Sequence, residues 1–274
     1  MISCGLCFVA VIGIVRYMGE SLPAVQASFL RYLIGLILFL PYLVKCSSSL
    51  FNRRNLSGYS VRAIFHSLGV VCWFYSMSKL PVAEVTAIGY VTPVLVALGA
   101  VIFFKERISY WRISAIVLAF AGVLLILRPG FQDLLLGHVA QLFATIFFAG
   151  SYLMVKKLTH TESAMTIVAM LTVLVTIVLA PLAALVWVPP TSKDIILLFF
   201  AAVFATFGHF FMTRAFALAP MVVLQPITFF QLVWATLLGI FVFGENINLF
   251  VLSGGAIILF SVTLISYRES LAKK

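Results

Sequence analysis

Carboxylates are what this chain has least of. Asp and Glu together number 8 in 274 residues, against 18 Lys and Arg. Glu20, Glu84, Glu106, Asp133, Glu162, Asp194, Glu245 and Glu269 all fall at the ends of apolar stretches or between them. No acid is expected deep in a helix, so a proton relay resting on buried carboxylates finds no support. His66 and His209 are the other candidate proton carriers, although a lone His in a packed helix is ordinarily a hydrogen-bonding residue. Cysteine is also scarce, with 4 residues and no disulfide framework. Cys4 and Cys7 form a CxxC with no His or acid nearby, which reads as packing rather than metal or redox chemistry. HExxH and GxSxG are both missing, and the polar residues are not spaced as a nucleophile and its base. Enzyme chemistry, a metal and a cofactor are therefore not expected.

Charge of either sign is thin, at 9% of residues, where a soluble domain carries about 25%. Hydrophobic residues make up 64% and mean hydropathy is +1.19, which leaves no water-soluble surface to build. Ten apolar runs are long enough to cross a hydrocarbon core about 30 Å thick. They cover about 2–17, 24–44, 62–79, 83–104, 111–128, 134–155, 163–188, 194–217, 221–243 and 248–267. Backbone in lipid must satisfy its own hydrogen bonds, so these runs predict helices, and their lack of alternation excludes a barrel. The first run is short, with 15 apolar residues before Arg16. It lacks a basic leader and a cleavage site, so it is not read as a signal peptide.

A net charge of +10 could suggest nucleic acid, but its distribution argues otherwise. With the N-terminus in the cytoplasm, the inner connections hold thirteen basic residues, among them Arg53, Arg54, Arg62, Lys156 and Lys157, and the outer ones four. That is the positive-inside pattern, and it orients a protein whose partners are a lipid bilayer and a small-molecule substrate.

The chain also repeats itself. "LPVAEVTAIGYVTPVLVALGAVIFFKERISYWRISAIVLAFAGVLLI" aligns without a gap on "APMVVLQPITFFQLVWATLLGIFVFGENINLFVLSGGAIILFSVTLI", 139 residues later. Pro81 falls on Pro220, Glu106 on Glu245 and Ser114 on Ser253, and one residue of drift brings Pro41 onto Pro181. The expected architecture is an all-α membrane protein of ten transmembrane helices, built as two five-helix repeats at 1–130 and 131–274. An odd helix number turns the second repeat upside down, an arrangement common in secondary carriers.

The order of motifs is recognisable. A helix joint ending in Leu-Pro or Ala-Pro, a span with Pro or Gln at its middle, "FFKER" or "FGEN", and then a Gly/Ala-rich span resembles the EamA-type family of the drug/metabolite transporter superfamily. "FLRYLIGLILFLP", "QLVWATLLGIFVFGE" and the closing "YRE" are similar to its second, ninth and tenth spans. The resemblance implies cytoplasmic termini, a cell inner membrane location, and a cavity lined by spans 1–4 and 6–9 with 5 and 10 peripheral. It implies as cargo amino acids, their derivatives including S-adenosylmethionine, nucleotide-linked metabolites or amphiphilic drugs. The N-terminus is shorter than the family pattern, which bears on whether the first helix is complete.

Arg31 stands in the middle of the second run, where a charge is costly. Two readings stand: it snorkels outward and caps carbonyls, or it is a counter-charge for a carboxylate-bearing solute. The cavity wall is expected from Tyr90, Thr92 and Pro93 on the fourth span and Gln225, Phe229, Gln231 and Trp234 on the ninth. Polar groups beside aromatics suit a small organic molecule, and prolines open backbone carbonyls. Trp73, Tyr75, Tyr152 and His209 are further candidates. Glu106 and Glu245 are expected to be structural, each capping the helix that follows its turn. Small residues Ala115, Ala119, Gly122, Gly254, Gly255 and Ser261 suit internal packing first and a homodimer face second. A secondary carrier is the expected function, with a drug exporter or a channel-like pore as rivals.

Overall fold

A computed structural model describes residues 1–45, 55–104, 110–128, 133–218, 224, 230–246 and 248–271. Among the described residues the chain is helical, without strands. In order the helices are α1 (Ile2–Met18), α2 (Ala24–Lys45), α3 (Leu56–Lys79), α4 (Val82–Gly89), α5 (Val91–Phe104), α6 (Tyr110–Leu127), α7 (Leu136–Leu158), α8 (Ala164–Leu185), α9 (Ser192–Leu218), α10 (Phe230–Phe243) and α11 (Leu249–Leu271). Four of them, α2, α7, α8 and α9, are individually long and apolar enough to cross a membrane.

Two spans differ from expectation. The third starts at Leu56 rather than 62, which places Arg62 inside the helix instead of in a connection. The fourth is broken at Tyr90 into α4 and α5. Pro93 has no N–H to give the Gly89 carbonyl four residues earlier, so the helical ladder is interrupted there. Of the expected ninth span, only Leu224 and the part from Phe230 onward lie within the described residues.

Helix ends follow local chemistry. Gly19 (φ 59°) closes α1 and Gly244 (φ 63°) follows α10, a left-handed conformation that glycine adopts without a Cβ penalty. At the start of α9, Thr191 N–H donates to Asp194 Oδ2 at 2.9 Å and Asp194 N–H donates to Thr191 Oγ1 at 3.2 Å, satisfying two orphan donors.

The outer faces carry large exposed apolar side chains, including Ile37, Leu68, Ile177 and Phe241. In water such a surface would be a liability; against lipid tails it is the solvated state. This is a multi-pass membrane protein.

Helix pairings come in matched sets. α1 packs on α9 and α3 on α7; α2 packs on α9 and α3 on α8; α1 packs on α10 and α5 on α7. Exchanging each span with the one five later turns one member of every set into the other. The pairings α2–α8, α4–α10 and α6–α11 turn into themselves. In the last, a Cβ on Gly122 would sit 2.7 Å from the Gly254 carbonyl oxygen, and one on Gly254 would sit 2.6 Å from that of Gly122. Nearby, Ser261 Oγ donates to the Ala115 carbonyl. The 139-residue offset carries Gly122 onto Ser261 and Ala115 onto Gly254, so these two contacts interchange. The small residues of α6 and α11 are thus used within the chain.

Candidate functional site

A cavity of about 210 Å³ lies between helices of the two halves. Its described walls come from α1, α2, α3, the α4–α5 break, α7, α9 and α10. α6 and α11 pack on one another outside it. The seventh span, expected in the wall, contributes no described lining residue: α8 packs behind α2 and α3.

Of the residues singled out from sequence, Arg31, Trp73, Tyr90, Thr92 and Pro93 line the cavity, as do Tyr152, His209 and Gln231. Tyr75 and Trp234 are corrections. Tyr75 is not in the lining and lies under the Lys79 ammonium, 6.0 Å from its ring centroid. Trp234 is on the outer face of α10, 46% exposed, where an indole suits a lipid-facing surface. Gln225, Phe229 and Glu106 lie outside the described residues. Gln141 and Thr86 also line the cavity. Each is one polar residue in an apolar run, a signal that picks out a residue but not the face it turns to.

Arg31 gives the cavity wall a positive charge. Arg31 is 5% exposed, so it does not snorkel to water. Its guanidinium carbon stands 4.2 Å from the Tyr32 ring centroid, a cation–π contact, and its Nε has no hydrogen-bond partner. Tyr32 meets His66 edge-on at 5.9 Å, and His66 meets His209 at 5.1 Å between ring centroids. Nδ1 of His66 lies 3.3 Å from Ser151 Oγ, whereas Nδ1 of His209 is buried without a partner. Deeper still, Arg62 is 1% exposed and donates from Nη1 to the Ile167 carbonyl at 2.8 Å.

The lining also holds neutral polar groups. Gln141 donates from Nε2 to the Val85 carbonyl at 3.0 Å, and its Oε1 is buried with no partner. Beside it, Glu84 stands in the first turn of α4, at a span end as expected, yet it is buried. Although it begins a span, α7 covers it, and it accepts from His138 Nε2 at 2.9 Å with both side chains buried. The Leu135 N–H donates to His138 Nδ1 at 3.0 Å, which makes Nε2 the protonated nitrogen that faces the carboxylate.

One turn beyond Ile12, the last α1 residue in the lining, Arg16 Nε donates to Glu245 Oε1 at 3.2 Å. Glu245 was expected to cap its own next helix. Instead its carboxylate accepts the Val82 N–H, at 2.9 and 3.1 Å, and so caps α4 in the other half. Arg16 Nη1 also donates to the Met77 carbonyl at 3.4 Å, while Lys156 Nζ donates to that of Phe216 at 3.0 Å. Met77 and Phe216 are aligned at the 139-residue offset.

The chain matches the model of the EamA-like transporter family twice, over residues 1–128 and 135–267. It is 24% identical to the S-adenosylmethionine uptake transporter of Rickettsia prowazekii, covering 93% of this chain and 86% of that one. It is 27% identical to the riboflavin transporter of Vibrio cholerae, covering 98% and 92%. To the pseudopaline exporter CntI of Pseudomonas aeruginosa it is 26% identical, covering 92% and 89%. A solved crystal structure superposes with a TM-score of 0.66 at 13% identity, covering 99% of this chain and 98% of that one, which speaks to the fold alone. These relatives are named as transporters or exporters of small metabolites, and the chain belongs to the EamA-like transporter family.

Proposed function

We propose that this protein is a secondary carrier that moves a small organic metabolite across the cytoplasmic membrane by alternating access. The candidate cargoes are an amino acid, an amino-acid derivative or an S-adenosylmethionine-like solute. The observation that carries the proposal is the cavity between the halves, walled by helices of both and lined by polar groups beside aromatics. Ten spans form two inverted repeats at 1–130 and 131–274. Support comes from the double family match, from helix pairings that interchange between halves, and from the reciprocal Gly122–Gly254 and Ala115–Ser261 contacts. Both termini are cytoplasmic, on the strength of the positive-inside count. Arg31, Trp73, Tyr90, Thr92, Pro93, Tyr152, His209 and Gln231 contact the solute, and Glu245 is structural.

Direction is a separate question. The pseudopaline exporter among the relatives gives an export reading the same standing as uptake. Counterflow in proteoliposomes tests the carrier itself, with a labelled panel of S-adenosylmethionine, amino acids and nucleotide sugars. A transient overshoot for one solute is expected. Flux that rises without saturating would replace the carrier with a pore.

A further inference from the structure

We infer that the carried solute bears a carboxylate or phosphate group, which docks between Arg31 and His209, and that it is not a net cation. This rests on the carrier reading above and narrows its cargoes, setting aside S-adenosylmethionine-like solutes, whose ammonium and sulfonium outweigh their carboxylate.

The argument starts from an imbalance. Arg31 is permanently charged, buried and in the cavity wall. A buried cation is unfavourable unless something of opposite sign meets it. None of the described carboxylates lines the cavity. Glu84 is engaged with His138, Glu245 with Arg16 and Val82, Asp194 with Thr191, and Glu162 with Asn55. The Tyr32 ring face offsets part of the charge, yet the Arg31 Nε–H donor remains without an acceptor.

A second orphan lies in the same wall. His209 Nδ1 is buried and unpartnered, and its ring sits against His66, which is linked through Tyr32 to Arg31. These donor-capable groups come from α2 and α9, one helix of each half, so a single anion between them would contact both halves. Arg62, buried on α3 one turn before His66, adds a second positive charge near this wall and makes it more attractive to an anion.

The rest of the cavity describes the rest of the solute. Phe148 and Tyr152 stack at 6.2 Å with 12° between their planes, and with Trp73 they offer flat apolar walls. Gln141 is also in the lining, and its unpartnered Oε1 is an acceptor for a neutral N–H or O–H donor. A solute with an anionic head, an apolar body and a neutral donor complements Arg31 and His209, the aromatic walls and Gln141. A sulfonium or ammonium group would find no described counter-charge here.

Binding to the purified full-length chain tests this, using probe pairs that differ only in charge. N-acetylphenylalanine is compared with its amide, benzyl phosphate with benzyl alcohol, and benzyldimethylsulfonium serves as the sulfonium probe. At least one anion is expected to bind tenfold or more tighter than its neutral partner, and the stronger pair tells carboxylate from phosphate. That preference is expected to vanish in Arg31→Gln, survive in Arg31→Lys, and weaken severalfold in His209→Gln. Should Arg31→Gln fail to fold, the Arg31→Lys and His209→Gln pair decides. Neutral or sulfonium probes binding as tightly as both anions would overturn the inference. So would no binding of either anion at millimolar concentration, or a preference unchanged by these variants. Saturable flux without anion preference would leave the carrier standing and remove only the charge assignment.

Discussion

Arg16 and Glu245, 229 residues apart, tie ends of four spans together. The guanidinium of α1 meets the carboxylate after α10, which caps α4, and the same guanidinium reaches the end of α3 through the Met77 carbonyl. In an alternating-access cycle this bond parts whenever the cavity opens past Ile12. Weakening it by about 1 kcal/mol shifts the open population roughly fivefold. Glu245→Gln is therefore expected to speed labelling of a cysteine placed at Ile12, in a background without the native cysteines, by about that factor. The charge reversal Arg16→Glu with Glu245→Arg should bring the rate back. Equal labelling in all three proteins would mean that the pair is not a latch.

The buried Glu84–His138 pair is expected to hold α4 on α7. Truncating Glu84 to Ala strands the His138 Nε2–H donor in a water-poor setting and should cost about 3–5 kcal/mol. Glu84→Gln keeps an acceptor at the same place and should cost only about 1–2 kcal/mol. Thermal unfolding in detergent would rank wild type above Glu84→Gln above Glu84→Ala. Melting of the Ala variant within a degree of wild type would deny the pair a structural role.

Gln26 acts as a side-chain clamp on backbone. It accepts the Val188 N–H at 2.8 Å and donates to the Val188 carbonyl at 2.5 Å, fixing the α8–α9 connection to the start of α2. Gln26→Leu removes both bonds, at about 1 kcal/mol each. Proteolysis in the 186–191 segment should become several times faster, with little change elsewhere in the chain. An unchanged cleavage rate would show that the connection is held by other contacts.

The Gly122–Gly254 crossing tolerates no side chain. Either Gly→Ala change brings a Cβ within 2.7 Å of a carbonyl oxygen, and backbone must shift, at about 1–3 kcal/mol. Gly5→Ala is the control: its new Cβ would meet only Gln231 Cβ, at 3.6 Å, and the helix should gain slightly. Lower melting temperatures for Gly122→Ala and Gly254→Ala, with none for Gly5→Ala, are expected. A neutral Gly254→Ala would mean that α6 and α11 separate freely.

Sequence alone determined what hydropathy and spacing can encode. An apolar run of about 20 residues has one structure in lipid, so the helices and the membrane were legible from composition. The 139-residue offset was legible because Pro, Glu and Ser matches do not arise from shared hydrophobicity. Arg31 announced itself by cost. Tertiary structure decided everything that depends on which way a helix turns. A nearly uniform apolar helix has no strong polar face, so nothing local told Tyr75 from Trp73, or Trp234 from Gln231. Glu84 looked like a helix-end acid until α7 covered it, and Glu245 caps a helix of the other half because chain order does not state which helix ends meet. The joining of Arg31, His66 and His209 in the lining of one cavity has the same origin. Each is a single residue on a different helix, and only the packing of the two halves brings them together.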